Sequence, residues 1–185
     1  MIILGIDPGL TRCGLGFIET EAGRKIRFID VQVATTAPGV PLENRILAIA
    51  IEIESAIATR KPNLIALERV FAQSNLPSVM GVAQISGVVL HLAAKSGIPV
   101  SWHTPTQVKA AVTGSGRAAK AQVGFMVAKI LGLAHAPKPA DAADALAIAI
   151  TAAWGSNAIE PSASGQTPAQ KKWLAAVAKA QKGKG

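Results

Sequence analysis

Two carboxylates in the last third of the chain have a spacing that suits metal chemistry. Asp141 and Asp144 lie three residues apart in an alanine-rich segment, and this spacing places both on one face of a helix. Like charges on one face repel each other, so a cation held between them would convert a cost into a gain. A purely structural explanation also exists, because the dipole of a helix N-terminus stabilises acids that follow Pro139.

Two further acids end apolar strands. Asp7 follows the strand that opens the chain and Glu68 follows a second one, at positions where a carboxylate must be solvated or paired. The structural alternatives are a turn aspartate before Pro8 and a glutamate paired with Arg69. Four acids at the ends of elements that one mixed sheet can bring together fit a shared site of oxygen ligands better. Such ligands select Mg²⁺ or Mn²⁺, and two such ions about 3.5–4 Å apart can hydrolyse a phosphodiester.

The elements that must position these acids are predicted from hydrophobic periodicity and turn residues. The predicted strands are Met1–Ile6, Cys13–Glu19, Ile26–Val33, Leu64–Leu67 and Ile98–Trp102. The predicted helices start at Pro41, Leu76, Thr104, Ala118 and Ala140. This order indicates an α/β domain whose first three strands pair antiparallel and whose later strands are joined through helices.

The charge of the chain is distributed unevenly. The 185 residues carry a formal net charge of +8, and the sequence pI is about 10.0. Residues 69–185 hold 12 basic and 3 acidic side chains, and no Asp or Glu occurs between Arg69 and Ala140. A stretch of one sign attracts polyanions because each neutralised phosphate releases a condensed counterion. We therefore expect nucleic acid as partner, with a solvated surface that keeps the protein soluble as the alternative.

The composition predicts one domain with an appended tail. Half of the residues are apolar, which suffices for one buried core, and we place that domain at 1–155. Residues 156–185 shift to Ser, Gly, Pro, Gln, Ala and Lys and are predicted to be a basic, flexible tail, either a DNA tether or a dispensable terminus. The single cysteine, Cys13, the lack of a signal-peptide pattern and the lack of a membrane-length apolar run favour the cytoplasm, away from membranes.

Five motifs follow one another along the chain. They are Gly5-Ile6-Asp7-Pro8-Gly9, Glu68-Arg69-Val70-Phe71, Gln107-Val108-Lys109, Gly114-Ser115-Gly116 with Lys120-Ala121-Gln122-Val123, and Asp141-Ala142-Ala143-Asp144-Ala145-Leu146-Ala147-Ile148-Ala149. Over roughly residues 1–155 the sequence closely resembles the bacterial RuvC family, which are Holliday-junction resolvases. The resemblance implies a ribonuclease H-like fold, with a mixed five-stranded sheet of three antiparallel and then parallel strands flanked by helices.

The resemblance also implies an activity. Family members are homodimeric, Mg²⁺-dependent crossover junction endodeoxyribonucleases of homologous recombination and DNA repair, which cut two opposed strands of a four-way junction by paired symmetric nicks. Asp7, Glu68, Asp141 and Asp144 match the family's four metal-binding catalytic acids, which implies two Mg²⁺ ions per active site with Mn²⁺ as a substitute. Hydrolysis of this kind leaves 5′-phosphate and 3′-hydroxyl ends. The expected partners are junction DNA, a second copy of the chain and the RuvA and RuvB branch-migration complex.

Five residues are predicted to contact DNA. Lys109 and Lys120 flank a Gly-Ser-Gly loop at a helix start, where free N–H groups favour phosphate, and they match basic residues that the family uses near the scissile phosphate. Phe71 matches an aromatic residue that inserts against bases at the junction centre, and base stacking is worth about 1–3 kcal/mol. Arg69 and Arg117 belong to the basic stretch without acids. The alternatives are solvated surface lysines and a core phenylalanine.

Three other functions share parts of this pattern. A nuclease of the same fold that acts on RNA or on RNA–DNA hybrids would keep the acids without the preference for junctions. A non-catalytic junction-binding module needs none of the four acids, so their presence counts against it. An actin-like ATPase also begins with a strand and Asp-x-Gly, but it needs a second phosphate loop and a much longer chain. His103 and His135 match no motif, and each is a candidate base near the metal ions.

Overall fold

A mixed five-stranded sheet lies at the centre of the fold. The computed structural model describes residues 1–22, 25–69 and 76–155. The strands are β1 (Ile2–Asp7), β2 (Arg12–Thr20), β3 (Ile26–Thr35), β4 (Leu64–Glu68) and β5 (Val100–His103). Their order across the sheet is β3-β2-β1-β4-β5, with antiparallel pairing from β3 to β1 and parallel pairing from β1 to β5. The predicted mixed sheet is confirmed, although β5 begins two residues later than the sequence pattern indicated.

Within the described residues, five helices flank the sheet. They are α1 (Leu42–Arg60), α2 (Leu76–Lys95), α3 (Pro105–Thr113), α4 (Lys120–Leu131) and α5 (Ala140–Gly155). The predicted start of α3 is confirmed: Thr104 Oγ1 accepts a hydrogen bond from the Gln107 N–H, and the Gln107 side chain accepts one from the Thr104 N–H. None of these described helices is long and apolar enough to cross a lipid bilayer.

The two faces of the sheet bury separate apolar clusters. Because side chains alternate along a strand, Ile3 and Leu64 join the cluster under α3, α4 and α5, whereas Leu4 and Ile65 join the cluster under α1 and α2. We call the first of these the α5 face. Cys13 lies in the other cluster, and burial raises the pKa of its thiol to about 12, so it remains a protonated core side chain.

Helix α5 approaches the strands closely because glycines on the α5 face leave room for its backbone. A Cβ on Gly5 would lie 2.1 Å from the carbonyl oxygen of Ala145, and one on Gly14 would lie 2.2 Å from that of Asp141. Gly16 makes a similar approach. A side chain at any of these positions would push the helix away from the sheet. These contacts therefore set the height of the first turns of α5 above β1 and β2.

Residues up to Trp154 form one compact unit. The predicted basic tail, 156–185, lies outside the described residues, and the boundary at residue 155 stays a prediction.

Candidate active site

Asp7 and Glu68 lie side by side where two parallel strands end. β1 and β4 are neighbours with Ile6 paired to Leu67, so the next residue of each strand reaches the same level. Ile6 and Leu67 face the cluster under α1 and α2, and alternation therefore turns both acids toward the α5 face. Two apolar strands thus present adjacent carboxylates to the helices of that face.

Helix α5 brings the other two acids to the same edge of the sheet. Asp141 lies in its first turn, and Asp144 follows one turn later on the same side of the helix. The close contact between Gly14 and the Asp141 backbone places this turn directly over β2, which is the neighbour of β1. Carboxylates from three distant segments of the chain therefore meet at one edge.

A cavity of about 210 Å³ opens between these elements. Three of the four acids and both lysines predicted to contact phosphate line it: Asp7, Glu68, Asp144, Lys109 and Lys120. The rest of its wall is apolar and consists of Pro105, Val108, Val123 and Ile148. The fourth acid, Asp141, lines a neighbouring groove instead. The structure thus gathers five of the nine predicted site residues around one small chamber and places Asp141 beside it.

Burial and the nearby carboxylates raise the pKa of two acids in the site. Burial raises the pKa of Asp7 to about 7, with further contributions from the charges of Asp144, Glu68 and Asp141. The pKa of Glu68 is also raised, first by burial and then by Asp144. Lys120 lowers both values but does not offset the other effects. The lysines do not neutralise all of the negative charge of the site, and a bound divalent cation would reduce the remaining repulsion among the carboxylates.

Two of the four acids are paired with cations of the chain. Lys120 Nζ lies 2.6 Å from Asp144 Oδ2, and Arg12 Nε lies 2.7 Å from Asp141 Oδ2. As these side chains are placed, no three His, Cys, Asp or Glu of the described residues form a group that could hold a metal ion. The donor set nevertheless fits a hard divalent cation, because it consists of carboxylate oxygens and the largely buried Asp7 forms no ion pair within the described residues.

The two arginines predicted to contact DNA lie outside this chamber. Arg69 directly follows β4 and is exposed, and its backbone N–H donates to the His103 carbonyl oxygen at 2.7 Å. Within the described residues it forms no ion pair with Glu68, so the structural explanation of Glu68 as half of such a pair is not seen. Arg117 is exposed in the turn between α3 and α4. Phe71 lies outside the described residues, and its role stays a prediction.

The two histidines considered as bases do not line the chamber. His103 is the β5 neighbour of Glu68, but its Nε2 lies 3.1 Å from Ser101 Oγ, and burial lowers its pKa. This histidine is therefore neutral near pH 7, and its ring nitrogen contacts the Ser101 hydroxyl. His135 is exposed in the segment between α4 and α5. Neither position supports a direct role in proton transfer among the four acids.

Sequence reasoning misses two contributors to the site. One is Arg12, which begins β2 and reaches Asp141 although 129 residues separate them. Its signal in the sequence is its place directly after the turn that Asp7 begins. The other is the set of glycines under α5: Gly14 and Gly16 share a face by alternation, which is the signature of a closely packed neighbour.

Comparisons with known proteins agree with this geometry. A family model described as crossover junction endodeoxyribonuclease RuvC matches residues 3–152. The chain is 50% identical to crossover junction endodeoxyribonuclease RuvC of Clavibacter michiganensis subsp. michiganensis, with 100% of both chains covered. It is 52% identical to the same protein of Renibacterium salmoninarum over 98% of this chain and 95% of the relative. The structure of Thermus thermophilus RuvC in complex with a Holliday junction substrate matches at a TM-score of 0.80 and 37% identity, over 85% of this chain and 96% of that one.

Carboxylates gathered at the end of the central strands of a mixed β3-β2-β1-β4-β5 sheet define a nuclease of ribonuclease H-like fold. The matches in sequence narrow this class further. The chain belongs to the RuvC family of crossover junction endodeoxyribonucleases, as its five motifs indicated. Membership of this family implies that the activity depends on a divalent metal ion.

Proposed function

We propose that this protein resolves four-way DNA junctions by hydrolysing one phosphodiester bond in each of two opposed strands. The observation that carries the proposal is the meeting of Asp7, Glu68, Asp141 and Asp144, from three distant segments, beside a chamber lined by lysines. The related protein from Thermus thermophilus was solved with a Holliday junction substrate, which supports the same substrate for this chain. Homologous recombination and DNA repair are the processes that such an activity serves.

The four carboxylates are the proposed ligands of two Mg²⁺ ions, with Mn²⁺ as a substitute. Metal ions bound in this way lower the pKa of a water molecule and stabilise the oxygen that leaves the phosphorus. Asp7 is influenced by the charges of all three other acids, and we therefore assign it the central place in the ligand set.

Lys109 and Lys120 are the proposed contacts of the scissile phosphate. Both line the chamber, and Lys120 Nζ lies 2.6 Å from Asp144 Oδ2. A phosphate in the chamber would give the Lys120 ammonium a second partner, and Asp144 would then be one of the residues that hold a metal ion. In the reaction, the water oxygen bonds to phosphorus while the bond from phosphorus to the 3′-oxygen breaks, and the 3′-oxygen takes up a proton. The products are a 5′-phosphate and a 3′-hydroxyl.

Three further residues are proposed to contact DNA beyond the scissile phosphate. Arg69 and Arg117 are exposed at the ends of β4 and α3, and their charges would contact backbone phosphates near the chamber. Phe71 follows the strand that carries Glu68 by three residues, and it would stack on bases at the junction centre. These contacts would favour a branched substrate over linear duplex.

Paired cuts need two active sites, and an exposed helix face supports a homodimer. On α2, five exposed uncharged residues recur at alternating spacings of three and four: Met80, Ala83, Gly87, Leu90 and Ala94. We call these five residues the α2 stripe. His91 and Lys95 are also exposed on this helix, beside the last two of them. Such spacing is typical of a seam between two packed helices. The RuvA and RuvB branch-migration complex is the proposed functional partner, and the cytoplasm is the proposed location.

A cleavage assay tests this function. The protein is incubated with a four-way junction that has a short homologous core, in Mg²⁺ and separately in Ca²⁺, with linear duplex and RNA–DNA hybrid as control substrates. We expect paired, symmetric nicks in Mg²⁺ on the junction alone, and Asp7→Asn should abolish the nicks while junction binding persists. Binding without nicks would instead indicate a junction-binding module, and cutting of the hybrid would indicate a ribonuclease.

A further inference from the structure

A second basic groove lies on the other side of the four acids from the lysine-lined chamber. It has a volume of about 380 Å³ and includes Arg12, Arg45 and Asp141 among its lining residues. The turn that follows Asp7 and the first part of α2 supply the rest of its wall. Since Asp141 lines this groove and Asp144 lines the chamber, the two openings adjoin across the acids.

Arg45 is held rigidly in this groove without a carboxylate partner. Its Nε donates to Thr36 Oγ1 and its Nη2 donates to Thr11 Oγ1, both at 2.9 Å. Thr36 in turn donates to the Leu10 carbonyl oxygen at 2.5 Å. No carboxylate of the described residues forms an ion pair with Arg45. The guanidinium has five N–H donors, so three remain for a ligand while its positive charge stays unneutralised.

Arg12 adds a second guanidinium to the same groove. Its side chain is 56% exposed and bonds Asp141 through Nε alone, so its two terminal nitrogens remain available. The groove thus contains two positive charges against the single carboxylate of Asp141. Planar guanidinium groups of this kind match the geometry of a phosphate.

We propose that this groove binds a backbone phosphate of the cleaved DNA strand, next to the scissile one. The inference rests on the proposed function, because it places the strand across the acids with lysines on one side and arginines on the other. A strand that lays one phosphate in the chamber must carry its neighbouring phosphate past the adjoining opening. Arg45 then acts as a fixed anchor that aligns the strand, and Arg12 joins it through its terminal nitrogens while its Nε stays on Asp141.

The test pairs neutral DNA linkages with charge variants of the protein. Four-way junctions carry one uncharged methylphosphonate at a time, at each phosphate around the mapped cleavage point, and binding is measured in EDTA. Loss of one phosphate contact should lower affinity roughly five- to tenfold at 0.1 M salt. Arg45→Gln should cause this loss on unmodified DNA and should make one flanking methylphosphonate cause no further loss. Lys129→Gln, which removes an exposed charge at the far end of α4, is the matched control and should be additive with every linkage.

Each outcome decides the question. Additive losses at every linkage for a folded Arg45→Gln would show that Arg45 only holds the turn through Thr11 and Thr36, and would overturn the inference. If Arg45→Gln fails to fold, Arg12→Gln replaces it, since Arg12 has no role in that clamp, and the same coupling is expected for it. A wild-type protein that neither binds nor cuts the junction would overturn the proposed function itself, whereas a protein that cuts normally while both arginine variants stay additive overturns only the groove.

Discussion

At the residue scale, the buried carboxylate of Asp7, with three other acids close by, lowers the stability of the folded protein. Burial raises the pKa of its carboxyl group to about 7, and the charges of three other acids add to this effect. A group of this kind is stabilised in the folded protein only when it carries a proton or contacts a cation. Bringing the acids together thus lowers the free energy of unfolding, and a bound metal ion would raise it again.

Asp7→Asn should stabilise the metal-free protein at pH 8. The pKa of Asp7 is about 7 in the folded state against 3.8 for the model carboxyl. Between these values the folded state binds more protons than the unfolded state, so the free energy of unfolding falls as pH rises through that window. The full loss, reached above pH 7, should be about 2–4 kcal/mol. Urea denaturation in EDTA at pH 5 and pH 8 should therefore show the full gain for the variant at pH 8 and a distinctly smaller gain at pH 5, because pH 5 already lies inside that window.

The control for this change is Asp30→Asn. Asp30 forms a surface ion pair with Arg60, far along the chain from the site, and its replacement should give no gain at pH 8. Added Ca²⁺ should raise the stability of the wild-type protein at pH 8 and raise that of Asp7→Asn much less. A variant less stable than wild type at both pH values would contradict the prediction that the ionised Asp7 carboxylate destabilises the metal-free protein.

At the scale of elements, the position of α5 decides whether the four acids can meet. The helix carries Asp141 and Asp144, while the strands carry Asp7 and Glu68, so the separation between these layers sets the distances across the site. Glycine on the α5 face holds that separation at direct backbone contact. Glycines on the strands thus control the distances between the acids of α5 and the acids of the strands.

Gly14→Ala should destabilise the fold and impair the site together. The new Cβ would lie 2.2 Å from the Asp141 carbonyl oxygen, a backbone atom that moves only if the whole helix shifts. Overpacking of this kind costs about 1–3 kcal/mol, and the shift should also weaken Ca²⁺ binding, measured by calorimetry. Gly39→Ala is the control, because no atom lies within 4 Å of its Cβ position. Equal stability and equal Ca²⁺ binding of the two variants would rule out the close approach as a determinant of the site.

Local signals in the sequence predict much of this arrangement. The strand ends at Asp7 and Glu68 and the helical spacing of Asp141 and Asp144 follow from short-range periodicity, which the structure reproduces. The ion pair of Arg12 with Asp141 cannot be predicted from such periodicity. The two residues are 129 positions apart, and their contact depends on how the start of β2 packs against α5. Register, layer separation and side-chain pairing across elements are tertiary properties, and no single segment of the chain encodes them.

On the scale of the whole molecule, the described residues form two basic openings and, on α2, an exposed apolar stripe, and we assign these surfaces different functions. The chamber and the arginine groove adjoin at the four acids, where the cleaved strand would lie. The α2 stripe carries no charge, and α1, which packs against α2, exposes Leu47 and Ile51. The Glu54–Lys95 ion pair joins these two helices. Exposed apolar side chains in a chain of net charge +8 favour contact with another protein surface, and the proposed second copy would provide the second active site.

Leu90→Glu should convert the dimer to monomer and uncouple the two cuts. A carboxylate buried in a two-fold seam is brought against the same seam of its partner, so the dissociation constant should rise by at least about tenfold. Phe125→Glu is the matched control, since Phe125 is equally apolar and 64% exposed but lies on α4, away from the stripe. Sedimentation velocity should show monomer for Leu90→Glu alone, and that variant should leave junctions with single nicks while its site still hydrolyses. If Leu90→Glu sediments with the wild type and still makes paired nicks, the seam lies elsewhere on the molecule.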